Sequence, residues 1–165
     1  MRALLLTATS ALAAMACGGA LPTPPAGPPE VASPYDEAAD PAHDTDAALA
    51  AARADGKLVL LVLGGNWCPW CRRLEHTFRF DSDVAAALAS GFHVVHVDTG
   101  ARKSGKNADV NERYGNPMQY GLPVLVVLAA DGSVRKVQET GALEEGDHHS
   151  PARILAFLAA VRGGP

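Results

Sequence analysis

Residues 57–78 read KLVLLVLGGNWCPWCRRLEHTF, a run that holds an apolar segment, a glycine loop, a pair of cysteines and an amphipathic stretch. Lys57 to Leu63 is continuously apolar after its first residue and of strand length. With no polar alternation, it predicts a strand buried on both faces. Gly64-Gly65-Asn66 predicts a loop, and a helix follows from about Cys68 to Phe78. Pro69 suits the first turn of that helix, where a missing N–H costs nothing.

Cys68 and Cys71 therefore stand at a helix start. Peptide dipoles place partial positive charge there, and free N–H groups can bond a thiolate. A favourable terminus is worth up to ~2 kcal/mol, which brings a thiol from roughly 8.5 to near 7. Cys68 is the expected attacking thiolate, and Cys71, one turn later, the resolving thiol. Two other readings compete. A metal site asks for four ligands, yet there is no second C-x-x-C, and His76, His93, His96, His148 and His149 have no convincing spacing. An inert structural disulfide would close too small a loop to add much stability. The leading reading is an enzyme with a redox dithiol, no organic cofactor and no resident metal. Metal binding or delivery by the same cysteines is the alternative.

Upstream, Asp44-Thr45-Asp46 offers N-cap residues to a helix over 47–54, closed by Gly56. Residues 17–40 are rich in Pro, Ala and Gly and read as a disordered tether, with the folded domain at 41–165. Residues 1–16 carry Arg2, a short apolar run and small residues at its end, the pattern of a secretory signal. A buried helix of the mature fold is the plainer alternative. Ala14-Met15-Ala16 suits ordinary signal cleavage. Followed by Cys17-Gly18-Gly19, it also resembles a bacterial lipoprotein signal, with Cys17 the lipidated residue, although Ala14 stands where Leu is usual. The lipoprotein is favoured, since an exposed lone thiol is a liability in an oxidising compartment. The expected setting is periplasmic, with the membrane reached through a lipid anchor.

Downstream, Asp81-Ser82-Asp83 caps a second helix, VAAALAS, and FHVVHVD (92–98) is another strand. Residues 99–119 are irregular, with one helical turn around 108–113. VLVVLAA and VRKVQ flank an Asp-Gly turn and predict a hairpin. Residues 151–162 close the chain with helical apolar spacing. The order predicts an α/β fold, a mixed central sheet covered by helices on both faces. With 48% hydrophobic residues a core can be filled, and a net charge of −4 gives no basic footprint for nucleic acid.

Asn66-Trp67-Cys68-Pro69-Trp70-Cys71-Arg72 resembles the W-C-x-x-C active site of thioredoxin-like proteins. Tyr114-Gly115 and Gly121-Leu122-Pro123-Val124 are similar to the Y-G and cis-proline region of that family. The stretch CRRLEHTFRFDSDVAAAL is similar to the C-terminal domain of transmembrane thiol–disulfide interchange reductases and related periplasmic proteins. The resemblance implies a three-layer thioredoxin-like fold that exchanges disulfides with protein substrates and a redox partner protein. It also implies a cis Pro123 against the dithiol and a Leu122 backbone that pairs with substrate. Trp67 shields the site, Trp70 lies on the contact surface, and Pro69 completes the substrate-binding set. The plainer alternative for Trp67 is a core aromatic, and for Pro123 a trans proline starting a strand.

Two departures from the family stand out. The buried acid six residues before the first cysteine is here Val62. Glu75 is a candidate substitute acting through water, and its plainer reading is a solvated carboxylate on a helix surface. The loop before Pro123 is longer than usual, and its Arg102, Lys103 and Lys106 suit a partner surface or a plain solvated loop. Asp98 reads as a strand-end cap, and His148-His149 as exposed loop residues.

Overall fold

The computed structural model describes residues 29–101 and 104–163. The expected signal at 1–16, Cys17, residues 17–28 of the expected tether, and Arg102 and Lys103 lie outside the described residues. In chain order the elements are α1 (Pro41–Asp55), β1 (Leu58–Gly64), α2 (Pro69–Phe80), α3 (Ser82–Gly91), β2 (Phe92–Asp98) and α4 (Ala108–Arg113). They continue with β3 (Val124–Leu128), β4 (Val134–Glu139), β5 (Glu144–Glu145), β6 (His148–His149) and α5 (Pro151–Arg162).

Every residue of β1 is buried, as its unbroken apolar run requires. It pairs parallel with β2 and antiparallel with β3, in a four-stranded sheet ordered β2-β1-β3-β4. The parallel pair needs a long crossover, which α2 and α3 supply. Alternation along β1 then divides the core. Leu58, Leu60 and Val62 face Leu74 and Phe78 of α2, Val84 of α3, and Ile154 and Leu158 of α5. Val59, Leu61 and Leu63 face Leu49 and Ala52 of α1, and Val110 of α4. Each fully buried Leu or Ile contributes about 1.5–3 kcal/mol. The mixed sheet between helical layers is the architecture expected from the sequence.

One boundary differs. Helix α1 begins at Pro41 rather than Ala47, because the Asp40 carboxylate accepts the Ala42 and His43 N–H groups and Pro41 occupies the first turn. Residues 29–40, read as part of the tether, also make contacts with the domain. Val31 donates its N–H to the Arg72 carbonyl at 3.0 Å, Glu30 pairs with Arg72 at 2.9 Å, and Tyr35 is only 3% exposed. One buried aromatic ring offsets the ordering cost that the Pro-rich composition alone suggested would prevail.

Candidate active site

The loop after β1 turns directly into α2, so Cys68 becomes the N-cap residue of that helix. Its sulfur accepts the Cys71 backbone N–H at 3.4 Å. Across the site, the Cys68 sulfur lies 3.8 Å from the Leu122 carbonyl oxygen, and the Leu122–Pro123 peptide is cis. Both cysteines are free thiols and both are buried, Cys71 almost completely.

The two thiols are driven apart electrostatically. A hydrogen bond from Cys71 lowers Cys68 to about 6, helped by the Cys71 and Trp70 backbone N–H groups and the Arg72 charge, against the opposing effect of burial. Cys71 moves far the other way, because it donates to Cys68, is buried, and faces the Cys68 charge. The arrangement is a nucleophilic thiolate beside a thiol that holds its proton. The helix start that the sequence placed under Cys68 supplies part of this, and the Cys71 thiol supplies more.

A groove of about 600 Å³ opens beside Cys68, lined by Trp67, Pro69, Trp70, Met118 and Leu122 among others. Trp67 is 37% exposed at its rim and donates its indole N–H to the Gly100 carbonyl. Trp70 is half-buried, with Arg73 over its ring at 4.8 Å. Lys106, Asn111 and Met118, from the segment ahead of Pro123, line one wall of this groove.

Residues 40–130 match the family described as Thioredoxin-like. The chain belongs to the thioredoxin-like family. Over 104 residues it is 33% identical to the Thiol:disulfide interchange protein DsbD 2 of Pseudomonas aeruginosa, a match covering 62% of this chain and 17% of that protein. It is 37% identical to the disulphide isomerase from Xylella fastidiosa Temecula1, with 78% of this chain and 95% of that one covered and a TM-score of 0.69. A thioredoxin from Thermus thermophilus, 24% identical over 70% of this chain and 82% of its own, has a TM-score of 0.51 and shares the fold. These matches make the thioredoxin-like chain an oxidoreductase of the thiol–disulfide class.

Against the thioredoxin-like pattern, Val62 packs in the same apolar cluster as Cys71, with no acid at that position. Glu75 is not the solvated carboxylate expected on the helix surface. It is 5% exposed, with one oxygen 2.7 Å from His96 Nε2 and the other held by Arg79. Burial alone would raise Glu75, but the hydrogen bond and charge of His96, with Arg79, hold it below the usual carboxylate range. It is ionised and both oxygens are engaged. Asp98 caps the end of β2 as expected: one oxygen accepts the Gly100 N–H and the other the Lys106 ammonium at 2.6 Å.

His149 corrects another expectation. It is fully buried, not an exposed loop residue, because β5 and β6 form a small hairpin that tucks it against α2. Its ring meets Trp70 edge-on with centroids 5.4 Å apart. Desolvation lowers its pKa to about 4, with help from His148 and Arg73, so it is neutral. Among the described residues, no group of three or more His, Cys, Asp or Glu side chains is arranged to hold a metal ion. The metal-delivery alternative has only the two sulfurs to build on there.

Sequence reasoning did not find Tyr35 or Asn66. The Asn66 side chain holds the backbone of Tyr35 from both sides, accepting its N–H and donating to its carbonyl, each at 3.0 Å. The available signal was a lone aromatic in a stretch rich in Pro and Ala.

Proposed function

We propose that this thioredoxin-like chain is an exported enzyme that exchanges disulfides with protein substrates through Cys68 and Cys71. The observation that carries the reading is the depressed Cys68 thiol, hydrogen-bonded by Cys71 and 3.8 Å from the Leu122 carbonyl of the cis peptide, beside the groove. In the reductive direction the Cys68 thiolate attacks one sulfur of a substrate disulfide, and the other sulfur leaves as a thiolate that takes a proton. Cys71 then attacks the Cys68 sulfur of the mixed disulfide, and the second substrate thiol departs. The chain is left with a Cys68–Cys71 disulfide, which a redox partner protein reduces again; oxidation of substrates runs the same steps backwards.

The Leu122 backbone, beside the cis peptide, is placed to pair with an extended substrate chain, while Trp67, Pro69 and Trp70 supply the contact surface. Export rests on the basic, apolar start of the chain, and membrane attachment on lipidation of Cys17. A periplasmic setting keeps such a dithiol supplied with disulfides to exchange. Among the described residues no helix is long and apolar enough to cross a membrane.

The Cys68 shift has a redox consequence. Lowering a thiol from roughly 8.5 to about 6 stabilises the reduced form by ~1.4 kcal/mol at pH 7, which moves the potential ~30 mV in the oxidising direction. The same shift sets a pH profile. Iodoacetamide alkylation of Cys68, followed by mass spectrometry, rises with pH through a midpoint near 6 and levels off before pH 8. An ordinary thiol would still be climbing at about 8.5. The function itself is tested by reduction of insulin disulfides with dithiothreitol as the electron source. The chain is expected to accelerate precipitation of the insulin B chain, and a rate no greater than dithiothreitol alone would overturn the proposal.

A further inference from the structure

The segment ahead of α1 enters the active centre. Its backbone is held by Asn66, two residues before Cys68, and by the Lys106 ammonium, which donates to the Glu37 carbonyl at 2.6 Å. These anchors seat Tyr35 in the same apolar cluster as Cys71, Val62 and Leu74. The Tyr35 hydroxyl is buried and forms no hydrogen bond with any other described residue's oxygen or nitrogen. It converges with the Cys71 sulfur on Gly64: a Cβ there would stand 2.2 Å from the hydroxyl oxygen and 2.6 Å from the sulfur. A buried hydroxyl with no oxygen or nitrogen partner, aimed at the buried sulfur of a reacting thiol, calls for a function.

We infer that Tyr35 is a catalytic residue of the resolving step, donating its hydroxyl hydrogen bond to the Cys71 sulfur as negative charge develops there. The inference rests on the disulfide-exchange reading above. In the step, the Cys71 S–H bond breaks and a bond forms between the Cys71 and Cys68 sulfurs. The bond from Cys68 to the substrate sulfur breaks, and the proton lost by Cys71 reaches the departing substrate thiolate through solvent. Tyr35 keeps its own proton throughout. Burial and the neighbouring Cys71 raise its pKa well above the ordinary value, so it acts as a donor and not as a base. The Gly65 backbone also acts to lower the Cys71 pKa, against burial and the Cys68 sulfur.

The surroundings favour Tyr35 over the carboxylate on the same helix. Glu75 of α2 has both oxygens committed to His96 of β2 and to Arg79. His96 in turn meets the Tyr35 ring edge-on, with centroids 5.4 Å apart. Cys68, with the Arg72 charge beside it, completes the charged groups around the pair among the described residues, and the Val62 position carries none of them. A hydroxyl delivered from ahead of α1 thus reaches the resolving sulfur in a chain that has no acid at Val62.

The test uses the full chain with Cys17→Ser, so that only the dithiol reports. Stopped-flow reaction of the reduced protein with a small aromatic disulfide such as Ellman's reagent releases one thiolate when Cys68 attacks and a second when Cys71 resolves. In Tyr35→Phe, the first phase is expected to keep its rate and the second to slow at least about tenfold, the low end of the worth of a hydrogen bond to a charged group. The gap between variant and parent widens where Cys71 ionisation limits the second phase, so the pH profile of that phase moves upward. An unchanged second phase overturns the role of Tyr35. Failure of the parent chain to release either thiolate overturns the exchange reading instead. A first phase that keeps both its rate and its low-pH midpoint also shows that the variant is folded, since that midpoint depends on the folded site. Should it not fold, uniform 3-fluorotyrosine, which keeps the ring and strengthens the donor, is expected to speed the second phase severalfold, and no change would overturn the proposal.

Discussion

Cys68→Ser is expected to lower insulin-reducing turnover by at least about a thousandfold while leaving the fold intact. A serine hydroxyl is essentially un-ionised at neutral pH, whereas the Cys68 thiol, lowered to about 6, is largely thiolate at pH 7. Cys71 cannot take over the attack. It is 1% exposed, and burial still drives its pKa upward once the Cys68 sulfur is gone. The substitution is mild structurally. Cys68 caps α2 by accepting the Cys71 N–H, and serine is among the preferred residues for that position. Thermal unfolding of the variant is therefore expected within about a degree or two of the parent. Retained turnover would move the nucleophile away from Cys68; a large fall in melting temperature would mean that lost activity reports unfolding.

Gly64→Ala is the second large effect, and it acts through space rather than backbone angle. Gly64 ends β1, where its lack of a side chain lets the Tyr35 hydroxyl and the Cys71 sulfur close over it. A methyl group there would meet both at 2.2 Å and 2.6 Å, inside any tolerable contact. Both neighbours are packed on every side, Tyr35 at 3% and Cys71 at 1% exposed, so neither has free room to retreat. Overpacking of this kind costs roughly 1–3 kcal/mol, and the separations place it at the upper end, a fall of roughly 5–10 °C in melting temperature. Scanning calorimetry of the reduced protein measures it. An unchanged melting temperature would mean that Tyr35 is not seated against Cys71.

The parts legible in the sequence carry local signals. The apolar run of β1, the C-x-x-C at a helix start, the Asp-Gly hairpin and the spacing of α5 each announce themselves within a dozen residues. The mixed sheet between helical layers follows from their order. The parts that escaped depend on contacts between distant residues. Glu75 reads as a surface carboxylate until β2 brings His96 onto it from 21 positions away. Tyr35 reads as part of a Pro-rich tether until Asn66, 31 positions on, fixes its backbone. His149 reads as a polar loop residue, since nothing near it in the chain shows that a two-residue strand pair will press it onto α2 and Trp70. The absence of an acid at Val62 was plain from the start; what stands beside Cys71 instead needed the fold.

The central claim is that Cys68 attacks and Cys71 resolves. Its most direct test is a trap: the full chain carrying Cys17→Ser and Cys71→Ser, incubated with an oxidised protein substrate and examined by non-reducing electrophoresis and peptide mass spectrometry. The expected result is a stable mixed disulfide between the substrate and Cys68, absent when Cys68 is the residue replaced and Cys71 retained. No covalent complex through Cys68, or an equal yield through Cys71 in the reciprocal variant, would contradict the account.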